Sequence, residues 1–182
     1  AKAWLDVQIE KASMPARELA LMMAKAQLLH DAGEYADAIE VYNVAEQFGM
    51  RKRDLLYSRS LTFDRMGKVV EAERDLRAIV KDDPEDADAL NALGYMLTVS
   101  SDRYEEAKKL IVKALELNPE SPAILDSMGW VLYRLGDTEG AEKQLRLAFD
   151  KMPDPEVASH LIEVLSKLGK EDEAQKILKE ML

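Results

Sequence analysis

An all-α solenoid of about five paired-helix repeats is predicted by three phased sets of residues in this 182-residue chain. Alanines recur at Ala38, Ala72, Ala107, Ala141 and Ala174, spaced by 34, 35, 34 and 33 residues. A glycine stands five residues before all but one of them, at Gly33, Gly67, Gly136 and Gly169. A small residue stands twelve or thirteen before each of the first four, at Ala26, Ser60, Gly94 and Gly129. Self-similarity at a fixed period of this length marks stacked supersecondary units, none of which can bury its apolar face alone.

Taken in order, residues 1–15 read as the second helix of an upstream repeat whose first helix is missing, with Trp4 a core residue that has lost its neighbour. The opening Ala1-Lys2-Ala3-Trp4 has no initiator Met and no apolar signal segment, so the chain reads as a processed or excised piece. Repeats are expected at 17–50, 51–84, 85–119, 120–153 and 154–182, the middle ones closed by Pro84, Pro119 and Pro153. The third carries one extra residue in the turn Ser100-Ser101-Asp102-Arg103 in place of a glycine. In the fourth, Ser121-Pro122 reads as an N-cap followed by Pro at the first helical position. Ile124, Leu125, Met128, Val131, Leu132 and Leu135 then keep helical spacing. Gly136 supplies the left-handed stop, Asp137 caps the next helix, and Ala141, Leu145 and Ala148 form its seam. The last unit repeats the device with Asp154-Pro155 and Gly169, although Ile162 replaces the small residue.

Composition is consistent with this reading. Hydrophobic residues make up 47%, charged residues 33% and aromatics only 6%, a balance that suits amphipathic helices. The formal net charge of −10 argues against nucleic-acid binding and against an anionic membrane surface. There is no cysteine, which excludes disulfides, thiol catalysis and cysteine-held metals. No apolar window approaches the ~18 residues that a membrane span needs.

Two segments resemble the tetratricopeptide repeat (TPR). One is Ala89-Leu90-Asn91-Ala92-Leu93-Gly94-Tyr95, followed by Tyr104-Glu105-Glu106-Ala107 and ending Leu117-Asn118-Pro119. The other runs from Ile124-Leu125-Asp126-Ser127-Met128-Gly129-Trp130 through Ala141 and Ala148 to Pro153. The first, second and fifth repeats are degenerate, with Lys25, Arg59 and Ile162 where the pattern wants Leu or a small residue. HEAT-type units are longer and lack this Gly/Ala phasing.

The resemblance implies a right-handed superhelix whose first helices line a concave groove. Its inward positions carry over to Met23, Gln27 and His30 in repeat one, and to Asp54, Tyr57, Leu61 and Asp64 in repeat two. Repeat three offers Asp88, Asn91, Tyr95 and Thr98; repeat four offers Asp126, Trp130 and Tyr133; repeat five offers Ser159, Glu163 and Ser166. The Lys/Asn/Arg clamp of chaperone-tail TPR domains is absent, since Met23/Gln27, Tyr57/Leu61, Asn91/Tyr95 and Asp126/Trp130 occupy its positions. Tyr57, Tyr95, Trp130 and Tyr133 form an expected aromatic track with Asp64 and Asp126 beside it. Exposed Tyr and Trp are the stuff of recognition hot spots. Trp130 is equally compatible with packing in the core.

Chemistry is sparse. His30 and His160 read as solvent-facing or capping, and His160-Leu161-Ile162-Glu163 is no two-histidine zinc motif. Asp82 to Asp88 lacks the glycine and distal Glu of a calcium loop and reads as a helix start. No cofactor or metal is expected, and no catalysis. The expected role is a scaffold that binds a protein or peptide in the groove, with a structural spacer or self-association module as the alternative. The segments around Tyr95 and Trp130 also resemble the end of large bacterial TPR lipoproteins, which implies a periplasmic chain held at the outer membrane through its parent. A cytoplasmic location is the alternative.

Overall fold

The structure, a computed structural model, describes residues 15–48 and 52–181. It contains ten helices and no strand among the described residues. The predicted leading helix and Trp4 lie outside them, apart from Pro15, which opens the first described helix. The chain divides into two compact units between Asp83 and Pro84. The N-terminal unit holds α1 (Pro15–Asp31), α2 (Tyr35–Gln47), α3 (Lys52–Arg65) and α4 (Val69–Asp82). The C-terminal unit holds α5 (Ala87–Ser100), α6 (Tyr104–Leu117), α7 (Pro122–Arg134), α8 (Thr138–Lys151), α9 (Pro155–Lys167) and α10 (Glu171–Glu180).

Within each unit the helices pair as the sequence predicts: α1 with α2, α3 with α4, α5 with α6, α7 with α8 and α9 with α10. Inside the units second helices also pack on the next first helix, α2 on α3, α6 on α7 and α8 on α9, and α5, α7 and α9 touch in succession, forming one layer. Helices of 10 to 17 residues are marginal alone in water. Stacking must therefore supply their stability. It does so through side chains such as Leu90, Leu93, Leu97 and Ile111 in the third repeat and Leu145, Leu161, Val164 and Leu165 across the last two, all nearly solvent-free.

The phased residues show their reasons. Gly33, Gly67, Gly136 and Gly169 have φ of 76, 69, 89 and 74°, a region that side chains avoid. Each donates its N–H to the carbonyl three residues back, and the next residue donates to the carbonyl five back, for example Gly136 to Tyr133 and Asp137 to Leu132, both at 3.0 Å. That is the Schellman closure, repeated four times. The third repeat reaches the same end differently. Its extra residue extends α5 to Ser100, and Ser101 stays at negative φ. The Ser101 hydroxyl donates to the Leu97 carbonyl at 2.7 Å and accepts from Arg103 N–H at 3.2 Å.

The small residues sit where paired helices cross. A Cβ on Gly94 would lie 2.5 Å from Ile111 Cγ1, and one on Gly129 would lie 2.5 Å from Leu145 Cγ. Ala26 and Ser60 are equally enclosed in their pairs. Ile162 is half-buried and packs on the core of the last repeat. Of the expected caps, Asp86, Asp137 and Asp154 each accept a backbone N–H of the helix that follows, at 2.8 to 2.9 Å. Ser121 is the exception: it stands at the N-cap position with Pro122 next, but its hydroxyl makes no capping bond.

Candidate functional site

In the N-terminal unit the predicted inward residues are only loosely associated. Met23 is half-buried, and exposed Gln27 donates to Asp31 Oδ1 at 2.8 Å. His30 shares a 2.9 Å hydrogen bond with Thr62 Oγ1 and sets its ring edge-on to Tyr35, so it is a packing residue. Tyr57 lies beneath the Arg53 guanidinium at 4.8 Å, while Leu61 and Asp64 are exposed. Behind this layer a cavity of ≈ 450 Å³ is lined by Lys52, Arg59, Arg74 and Asp75 among others. Its cations are already neutralised: Lys52 by Asp82, Arg59 by Asp75 and Glu46, and Arg74 by Asp75.

The C-terminal unit brings its predicted residues together. Tyr95 projects from α5, Trp130 and Tyr133 from α7, and His160 from α9, and their rings form a continuous strip. Tyr95 and His160 have centroids 6.3 Å apart; His160 stacks on Trp130 at 4.2 Å with 18° between planes; Trp130 meets Tyr133 at 5.3 Å. These separations are those of favourable aromatic contacts. Each end of the strip carries a carboxylate. The Tyr95 hydroxyl donates to Glu156 Oε1 at 2.6 Å, and Tyr133 hydrogen-bonds Glu163. Burial, and then this carboxylate, raise the Tyr133 phenol above its ordinary value. Neither Glu156 nor Glu163 forms an ion pair with a Lys or Arg among the described residues. The nearby cation Arg134 is spent on the Thr98 carbonyl and on Tyr104, whose ring it covers at 4.7 Å.

Three expectations are corrected here. Asp126 is not a carboxylate beside the track but is 6% exposed, its oxygens 2.9 and 3.1 Å from His160 Nδ1. His160 is accordingly neither solvent-facing nor a cap; it is buried between Asp126 and Trp130. Thr98 is fully enclosed and returns its hydroxyl to the Gly94 carbonyl. Trp130 proves to be intermediate, half-buried against His160, with an indole N–H that is enclosed and has no hydrogen-bond partner. Asn91 is half-buried on the same layer, its amide oxygen likewise enclosed and unpaired. Ser159, Glu163 and Ser166 are exposed.

Sequence reasoning did not single out Glu156, and it set His160 aside. The available signal was their spacing on α9. Glu156, His160 and Glu163 stand at i, i+4 and i+7, which places them on one helical face. Among the described residues no group of three or more His, Asp or Glu is arranged to hold a metal ion.

Family models described as tetratricopeptide repeat match residues 8–51, 57–102 and 99–159. The chain belongs to the tetratricopeptide repeat family. A TPR repeat-containing protein of Pseudomonas aeruginosa is 50% identical over 108 residues, a match covering 59% of this chain and 18% of that protein. The chain thus spans less than a fifth of that curated relative. A tetratricopeptide repeat protein from Parabacteroides merdae superposes with a TM-score of 0.80 at 18% identity, over 99% of this TPR chain and 70% of its own. A thermophilic TPR protein from Thermus thermophilus gives 0.79 at 23% identity, with 89% of each chain covered. MamA from Desulfovibrio magneticus gives 0.71 at 15%, covering 89% and 92%. At these identities the superpositions establish a shared fold. TPR folds generally mediate protein–protein interaction, and no described helix is long and apolar enough to cross a membrane.

Proposed function

We propose that the chain is a non-catalytic interaction module, and that the inward face of α5, α7 and α9 holds a segment of a partner protein. The observation that carries this reading is the strip Tyr95–His160–Trp130–Tyr133, drawn from three consecutive repeats and left partly open. Rigid aromatic side chains with polar tips give large contact area at small entropic cost, and they dominate recognition energetics. The N-terminal residues Met23, Gln27, Tyr57, Leu61 and Asp64 offer further contacts without such a cluster.

The chain is further proposed to be one part of a longer bacterial TPR adaptor. The half-identical Pseudomonas aeruginosa relative, much longer than this chain, supports that. A periplasmic position held at the outer membrane through the parent chain follows from the lipoprotein resemblance.

The test is capture from a bacterial envelope extract with the native chain and with a Tyr95→Ala/Tyr133→Ala variant whose helicity and melting are checked by circular dichroism. A prey protein whose affinity falls roughly 30-fold in the variant, the equivalent of a ~2 kcal/mol hot spot, supports the groove. Undiminished capture by a folded variant rejects it.

The alternative, a self-association module, draws on apolar side chains left exposed on second helices, Leu147 and Leu178 both at 48%. Sedimentation across a hundredfold concentration range decides it, since a constant monomer mass removes that reading.

A further inference from the structure

The ring strip, the spacing of its two carboxylates and its charge together specify its occupant. This rests on the proposed groove. Glu156 and Glu163 are seven residues apart on α9, hence about 10.5 Å apart along the axis and nearly in line, the drift over a heptad being ~20°. One carboxylate marks the Tyr95 end of the rings and the other the Tyr133 end. Both accept hydrogen bonds from neutral phenols, an arrangement that orients a carboxylate without neutralising it. The cations of these three helices are Arg134, which is bonded to the Thr98 carbonyl and to Tyr104, and Lys167 in the last turn of α9. Among the described residues neither forms an ion pair with Glu156 or Glu163, and the whole chain carries a net charge of −10. The face is therefore complementary to two cations about 10 Å apart, with an apolar, aromatic floor between them.

Regular backbones meet that spacing differently. In a β-strand, residues on one face are about 6.8 or 13.6 Å apart, and residues three apart point to opposite faces. In a polyproline II helix, with three residues per turn and a rise of 3.1 Å, residues i and i+3 share a face about 9.3 Å apart. Such a helix is narrow and leaves its backbone carbonyls open, and proline-rich segments dock on aromatic-lined grooves. An α-helix could place cations at i and i+7, but its apolar stripe is ≳ 100° wide on a rod of ~10–12 Å. The floor here is four rings joined pairwise at centroid distances of 4.2 to 6.3 Å, a small patch beside which such a rod is broad. We infer that the α5–α7–α9 face recognises a polyproline II segment bearing two basic residues three positions apart, with prolines or other apolar residues over Trp130 and Tyr133.

The probes are fluorescein-labelled eleven-residue peptides of Pro and Ala with two arginines, spaced three, two or seven apart, titrated by anisotropy against the full chain in low salt. The expected result is tightest binding at spacing three, by at least about fivefold over spacing two. Glu156→Gln and Glu163→Gln keep the hydrogen-bond acceptor and remove only the charge. Each should weaken the spacing-three peptide about threefold, and both together about tenfold, as expected for partly exposed ion pairs. Equal affinity at all spacings, or a preference for spacing seven in a helical host peptide, overturns the polyproline reading. Affinities indifferent to both Gln variants overturn the charge reading. If none of the peptides binds, while the envelope prey is still lost on Tyr95→Ala/Tyr133→Ala, the inference fails and the groove survives. If that prey is retained by the variant, the groove itself fails.

Discussion

His160 and Asp126, one repeat apart on α9 and α7, are joined through Nδ1 at 2.9 Å in a nearly closed site roofed by the Trp130 indole. The pair locks the last two first-helices in register, and it seats the indole at the centre of the ring strip. Its position makes it architecture for the strip, since neither group reaches solvent freely.

Truncating Asp126 should therefore cost stability before it costs recognition. Asp126→Ala leaves the buried imidazole nitrogen without a partner, for which about 1–3 kcal/mol is typical. Asp126→Asn keeps an acceptor and should cost less than half of that. Urea unfolding of both variants checks the order. Equal loss in Asn and Ala would show that shape, not hydrogen bonding, holds the site.

Gly129 and Gly136 predict two different failures seven residues apart. In Gly129→Ala the new methyl would sit 2.5 Å from Leu145 Cγ and 3.2 Å from the Ala141 carbonyl, so helices α7 and α8 must separate. Overpacking of this kind costs about 1–3 kcal/mol. In Gly136→Ala nothing lies within 4 Å, but φ is +89°, and a left-handed side chain costs roughly 1–2 kcal/mol. Adding Leu145→Ala, which removes the clashing Cγ and Cδ2, should make Gly129→Ala cheaper than it is in the native background and leave the cost of Gly136→Ala unchanged. A double variant with no relief at Gly129 would reject the close-crossing account.

How much of this could be read from the chain follows from what the repeat controls. Periodic requirements left periodic residues. The left-handed turn demands Gly33, Gly67, Gly136 and Gly169, and the crossing demands Ala26, Ser60, Gly94 and Gly129, so helix pairing was legible without coordinates. Trp130 and Tyr133 were legible as ring neighbours, because residues three apart share a helical face. The Ser101 hydroxyl closure was not, because it replaces a glycine with a side-chain bond that has no period. Asp126 was misjudged because its burial is set by His160, thirty-four residues away, and no local pattern announces that pairing. Arg59 looked like a mere departure from the pattern, yet it is the centre of a polar cluster.

That cluster supports a third prediction. Arg59 is 5% exposed and Asp75 2%, and the guanidinium donates to Asp75 Oδ2 at 2.6 Å, Asn43 Oδ1 at 2.9 Å and Glu46 Oε2 at 2.8 Å. Burial opposes the charge on Arg59, but the bonds it donates to Asp75 and Glu46 outweigh it and raise its affinity for the proton. Removing one partner of a buried pair costs about 3–5 kcal/mol, because the other charge is left desolvated. Asp75→Ala should approach that cost, whereas Arg59→Met/Asp75→Leu should lie close to the native chain. Thermal melts of the three proteins decide it, and a double variant as unstable as Asp75→Ala would mean that Glu46 and Arg74 need the pair in place.

Alkaline pH provides the last test, through Tyr42. Its side chain is 1% exposed, and burial raises the phenol above the ordinary value of 10.0, with hydrogen bonding to Thr62 and Ser58 only partly offsetting the shift. The unfolded chain then loses this proton at a lower pH than the folded one. Above about pH 10 the unfolded state binds fewer protons, so stability falls as pH rises, and the contribution is complete below that value. Tyr42→Phe removes the titration along with the hydrogen bonds, whose loss costs about 1 kcal/mol at neutral pH. The native chain should accordingly lose stability faster than Tyr42→Phe between pH 9 and 11 in urea titrations. Other tyrosines and lysines titrate in both proteins, which makes the difference between the two curves the quantity to read. Parallel curves would show that Tyr42 ionises as readily inside the fold as outside it.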